Sequence, residues 1–231
     1  MKTTQVRVFD AGRRVEGFLD ANAALIGTAV SASLRAKLDA AVTQLDQLRL
    51  DQETSKAAAA GETTNQAALR SDLFKHLVGP IGEVAKLNLK GSADYQALVV
   101  SAAAVKKSEF VTKVNSQADA AAKYAQLFID HSLPADFLAQ IKAGVAQVLA
   151  SAANREAQQT KQSAATGGLI AADKAVRSLI KVVSGALAKV LKGNATLSAG
   201  WTAAKRIKQL PVTPLPTGNT SSPRWRRRRH R

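Results

Sequence analysis

The string LKGSAD at residues 89–94 recurs as LKGNAT at 191–196, and the GEVAK at 82–86 recurs as GALAK at 185–189. At an offset of 102 or 103 residues the likeness reaches well beyond these strings. Leu25 and Ile26 fall on Phe128 and Ile129, while Leu34, Leu38, Val42 and Leu45 fall on Phe137, Ile141, Val145 and Val148. Each half then reads as helix, turn, long helix, glycine break, helix, LKG and a short closing segment. A chain with such an internal period is expected to fold as two similar units, residues 1–106 and 107–208, joined in one pseudo-symmetric bundle with a shared core.

The units are helical because their apolar residues recur at steps of three and four. Val8, Ala11, Val15, Phe18, Ala21 and Leu25 make one stripe, and Leu34, Leu38, Ala41, Leu45 and Leu48 make the next. Ser33 is expected to cap the second helix, with Gly61 ending it. A third helix is expected from Thr64 to Lys90, kinked or broken at Pro80. Phe110, Val114, Gln117, Ala121, Tyr124 and Phe128 form a further stripe. Ser132 then caps a helix carrying Phe137, Ile141, Val145 and Val148, which Gly167-Gly168 interrupts before another runs from Leu169 to Lys192. A short helix over 195–208 closes the series on Leu197 and Trp201. Composition decides the class: 45 of 231 residues are alanine and 4% are aromatic. Alanine favours helix and adds little core volume, so the expected fold is all-α, with six or seven helices packed closely through small side chains.

No cysteine is present, which excludes disulfides and thiolate metal sites. The N-terminal MKTTQVRVFDAGRRVEG lacks the apolar core of a secretory signal, and the longest uncharged stretch of the helical part, Ala21 to Leu34, falls short of the ~20 apolar residues a membrane span needs. A soluble, cytoplasmic protein is expected. Past Lys208 the composition changes. QLPVTPLPTGNTSSP holds four of the six prolines and no alanine, and reads as a disordered linker over residues 209–223.

Charge is distributed unevenly along the chain. Residues 1–130 carry 16 Lys+Arg against 14 Asp+Glu, a net +2, whereas residues 131–231 carry 17 against 3, a net +14. Two features concentrate it. On the helix over 174–192, Lys174, Arg177, Lys181, Lys189 and Lys192 lie within about 120° of one another, opposite Val176, Leu179, Ile180, Val183, Leu187 and Val190. Lys205, Arg206 and Lys208 follow. The chain then ends RWRRRRHR, in which Arg224, Arg226, Arg227, Arg228, Arg229 and Arg231 offer planar forks for phosphate and Trp225 a ring for stacking. The bland alternatives are a solvated lysine face on a core-facing helix, and a solubilising or read-through tail with no partner.

Catalytic patterns are missing. His76, His131 and His230 are scattered, with no second histidine or cysteine at metal-ligand spacing. Gly167-Gly168 follows no strand and precedes no Lys-Ser, so it does not form a phosphate-binding loop. No nucleophile elbow or paired Glu-x-x-His is found, and no cofactor or metal is implied. The expected function is therefore non-enzymatic: a binding or scaffolding protein whose basic C-terminal part touches nucleic acid non-specifically. An enzyme with a dispersed site is the weakest alternative. The alanine-rich, cysteine-free helical character with a basic tail is similar to that of phasins. That resemblance implies a different role, coating anionic lipid or a hydrophobic granule with amphipathic helices, and leaves room for self-association.

Overall fold

The computed structural model describes residues 3–106 and 108–207, with only the backbone for Thr3 and Thr4. Every regular element among them is helical: α1 (Thr3–Ala21), α2 (Ala23–Ile26), α3 (Ala32–Leu73), α4 (Gly79–Asn88), α5 (Tyr95–Leu98), α6 (Phe110–Ala122), α7 (Ala125–Asp130), α8 (Phe137–Lys192) and α9 (Ala195–Lys205). Short 3₁₀ turns cover Gly27–Ala29 and Ala102–Lys106, and a π-helical turn, Phe74–Val78, joins α3 to α4. No described helix is long and apolar enough to cross a membrane. The linker and arginine run from Lys208 onward lie outside the described residues.

Two helical rods dominate. The first runs unbroken from Ala32 to Asn88 through the π turn, and the second is α8, 56 residues long. Each measures about 85 Å at 1.5 Å per residue, and they pack antiparallel along most of their length. The expected break at Gly167-Gly168 does not occur, for a steric reason. A Cβ on Gly168 would stand 2.9 Å from Leu48 Cδ2, and one on Gly144 would stand 2.8 Å from Leu73 Cδ1. These glycines are notches that let the rods approach. Gly61 likewise stays helical; with alanines at 57–60 before it, the ~1 kcal/mol cost of glycine is tolerated. Pro80 also continues its rod, because it directly follows the π turn. There the Gly79 N–H already bonds to the Phe74 carbonyl, and the usual i→i−4 ladder is displaced just where the proline lacks a donor.

Helix starts differ from expectation in the same way. Ser31, not Ser33, caps α3: its side chain accepts a hydrogen bond from Leu34 N at 3.2 Å. Ser31→Ala is expected to lower stability by about 1 kcal/mol in a urea melt, and Ser33→Ala to change it by only a few tenths. Ser132 does not cap α8. It adopts φ 73° where the chain leaves α7, and α8 begins at Phe137. Gly27, at φ 54°, makes the corresponding turn after α2, a conformation that glycine reaches without strain.

The apolar core is divided rather than shared. One cluster gathers Val8, Val15 and Leu19 of α1, Leu38, Val42 and Leu45 of α3, Leu169 to Leu187 of α8, and Trp201 of α9. The other gathers Leu73 to Ala85 of the first rod, Leu98 of α5, Phe110 to Ala121 of α6, Phe128 of α7, and Phe137 to Val145 of α8. Between them only the two rods remain, packed through Ser55, Ala59, Gln66, Ser151 and Ala165. These side chains are too small or too polar to build a third cluster. Polar bonds fix their register: Gln52 Nε2 donates to Thr166 Oγ1 at 2.7 Å, and Ser151 Oγ donates to Glu62 Oε2 at 2.7 Å. The molecule is thus a two-headed rod. Each head combines one rod's beginning with the other rod's end, so each draws on both halves of the chain.

Candidate functional site

Charge separates the two heads. The first head, residues 3–49 and 168–207, carries 13 Lys+Arg and 6 Asp+Glu, a net +7. The bare rods, 50–70 and 148–167, carry four of each sign, and the second head, 71–147, carries eight Lys+Arg against seven Asp+Glu, a net +1. The net positive charge therefore resides almost wholly at one end, which is also where the chain leaves α9 toward its arginine run.

Within this basic head most acids are already engaged. Glu16 pairs with Arg13, Asp20 and Asp39 with Arg35, Asp46 with Arg49, and Asp173 with Arg177 at 2.8 Å. Burial lifts the Glu16 carboxyl above its ordinary range, Arg13 pulls it back, and Asp39 adds to the rise. The cations left without an ion pair among the described residues are mostly those singled out from the sequence. Lys174, Lys181, Lys189 and Lys192 are exposed along the outer side of α8, where Val176, Ile180, Val183 and Leu187 face the core. Arg177 shares their side but is half-buried and tied to Asp173. Lys205 is half-buried on α9 and Arg206 is exposed just beyond it. Lys208, Arg224, Trp225, Arg226, Arg227, Arg228, Arg229 and Arg231 lie outside the described residues.

The sequence reading missed the contribution of the N-terminal helices. Arg7 and Arg14 of α1 and Lys37 of α3 belong to the same head and carry no ion pair among the described residues. Arg14 also braces the site, its Nη2 donating to the Arg206 carbonyl at 2.7 Å across 192 residues of sequence. No local signal could have found these residues, because they join this head only when α3 and α8 align antiparallel.

Elsewhere the surface offers little for chemistry. A cleft of about 600 Å³ between the rods is lined by Leu48, Asp51, Thr54, Ser55, Ala58, Gln158, Lys161, Ala164 and Ala165. Its charged groups, Asp51 and Lys161, sit among alanines with no histidine to relay a proton. His76 leans on Asp72 at 3.3 Å and His131 on Asn88 at 3.2 Å, both on the surface of the near-neutral head. Among the described residues no group of His, Asp or Glu is placed to hold a metal ion. No protein-family model, curated protein or solved structure matches this chain.

Proposed function

We propose that the protein is a non-enzymatic scaffold that holds nucleic acid through phosphate electrostatics at its basic head, with the C-terminal arginines adding to the grip. The observation that carries this reading is the segregation of charge: net +7 on one head, against +1 on the other and none on the rods. A merely solubilising charge has no reason to collect at one end. A polyanion gains from it, because each neutralised phosphate releases condensed counterions. The contact is non-specific, since lysines on a helix face and a run of arginines meet backbone oxygens and read no base edge. Such a partner fits a cytoplasmic protein.

The reading of two similar halves belongs here too. It draws support from the order of elements: α1, α2 and a 57-residue rod are followed by α6, α7 and a 56-residue rod. A duplicated unit whose copies later diverged in charge accounts for two heads of like build and unlike surface. At equivalent places Lys189 has no ion pair among the described residues, whereas Lys86 pairs with Glu83 at 2.7 Å. The coating role has less in its favour. The large exposed apolar residues, Val6, Leu25, Leu50, Leu87, Leu149, Ile170 and Val182, are scattered over several elements. The three that share the outer side of α8 stand about 32 and 18 Å apart along it, so they form no continuous stripe.

A gel-shift titration tests the proposal. The full chain is expected to shift nucleic acid at low salt and to release it as salt rises. Deleting residues 223–231 weakens the shift, and replacing Lys174, Lys181, Lys189 and Lys192 by alanine in the same chain abolishes it. Absence of any shift, or one indifferent to salt, overturns the proposal.

A further inference from the structure

The basic head also indicates which form of nucleic acid suits it, an inference that rests on the reading above. We infer that its ligand is the double helix, gripped by its phosphates along the outer side of α8. Lys174, Lys181, Lys189 and Lys192 stand exposed on a single unbroken helix without ion pairs among the described residues. At 100° and 1.5 Å per residue they fall within about 80° of one another and span about 27 Å. A duplex carries one charge per ~1.7 Å of axis, so it holds about 16 phosphates over that length, about twice the number on either of its strands, and the row meets those on the side turned toward it. Shape favours it as well. A flexible strand must be held extended to meet a fixed row of cations and loses conformational freedom in doing so, whereas a duplex with a persistence length of about 150 base pairs is already straight over this distance.

The head's aromatic residues give an independent argument. Proteins that grip single strands combine positive charge with rings on which successive bases stack. The basic head has three aromatic residues: Trp201 is buried, and Phe9 and Phe18 are half-buried, each engaged by a neighbour in the head. Phe9 lies beneath the guanidinium groups of Arg13 and Arg49 at 5.4 and 6.0 Å. Phe18 packs on Trp201 with ring centroids 5.4 Å apart, and Trp201 is itself buried. The lysine row therefore meets phosphates with no stacking surface behind it. A duplex needs none, because its bases are already stacked and paired. A single strand would forfeit that contribution.

The test is fluorescence anisotropy of the full chain against a labelled duplex of about 24 base pairs, its separated strands, and phosphatidylserine vesicles, over a series of salt concentrations. The duplex is expected to bind at least about tenfold more tightly than either strand at ~0.15 M salt. Replacing Lys174, Lys181, Lys189 and Lys192 by alanine is expected to flatten the duplex salt slope by about 3 to 4 and to erase most of that preference. These side chains are exposed, so the thermal melt should be unchanged. Equal affinity for strand and duplex, or a slope untouched by the substitutions, overturns this inference and leaves the general reading standing. Binding of neither nucleic acid, or of vesicles alone, overturns both.

Discussion

Replacing Gln117 with leucine is expected to destabilise the near-neutral head by about 2–4 kcal/mol, although leucine is of similar size and the site is wholly buried. The reason is the work of its amide. Nε2 donates to the Val78 carbonyl at 2.9 Å and to the Leu98 carbonyl at 2.7 Å, linking α6 to the π turn and to the end of α5. Leu98 closes a helix of four residues and the chain then turns extended, so its carbonyl depends on a partner from elsewhere. Leucine removes both bonds and leaves a buried acceptor unsatisfied. Gln117→Glu separates this cause from simple packing. At neutral pH it sets a carboxylate against two carbonyl oxygens, and burial raises its pKa above the unfolded value of about 4.3. With the folded pKa raised, the protonated form is favoured in the fold. Stability is then retained below about pH 4.3 and lost as pH rises through the higher folded value. Urea melts of the leucine and glutamate variants from pH 4 to 8 would show it: a leucine profile parallel to wild type, a glutamate profile that falls. Two parallel profiles, or a leucine variant as stable as wild type, would remove Gln117 from this role.

Trp201→Ala is expected to be at least as damaging, at about 3–5 kcal/mol, but to strike the opposite head. The indole is 1% exposed and seals α9 against α1, with Phe18 against its ring. Gly200 beside it lets the Phe18 ring approach to within 3.0 Å of where a Cβ would stand. Among the described residues the indole Nε1 has no hydrogen-bond partner, so the expected loss is one of packing. Trp201→Phe should accordingly recover more than half of it. Because the core is divided, hydrogen exchange should quicken in α1, α9 and the end of α8 while α6 and α4 keep their protection after Trp201→Ala. The Gln117 variants should show the reverse. Loss of protection spread evenly over both heads in either case would mean that the rods couple them into a single cooperative unit.

Most of the stripes expected from spacing alone are buried: Val8, Ala11 and Val15; Leu38, Ala41 and Leu45; Phe137, Ile141, Val145 and Val148. Ala21 and Leu25, expected to extend the first, are exposed, because α1 ends at Ala21 and Leu25 belongs to the separate α2. Helical periodicity is a local property, written into residues three and four apart, and needs no knowledge of partners. The expected breaks failed for the opposite reason. Whether Gly168 ends a helix depends on whether Leu48 stands across from it, and that is decided 120 residues away. Gln117 shows the same limit. Its place in an apolar stripe marked it as inward-facing, but only the π turn and the end of α5 supply the carbonyls it serves.

The basic site divides along the same line. The sequence by itself determined that α8 ends in a positively charged outer face, because the lysines of 174–192 repeat at helical spacing and no acid follows Asp173. It also assigned nearly all the positive charge to the second half of the chain. Tertiary structure redrew that division. The rods run in opposite directions, so the N-terminal helices α1 and α2 and the start of α3 close over the end of α8 and bring Arg7, Arg14 and Lys37 into the same head as its lysines. The physical reason is that charge along a chain is fixed by residue order, whereas charge in space depends on which segments bury their apolar faces together. Here those segments come from opposite halves, and one head became basic while the other became nearly neutral.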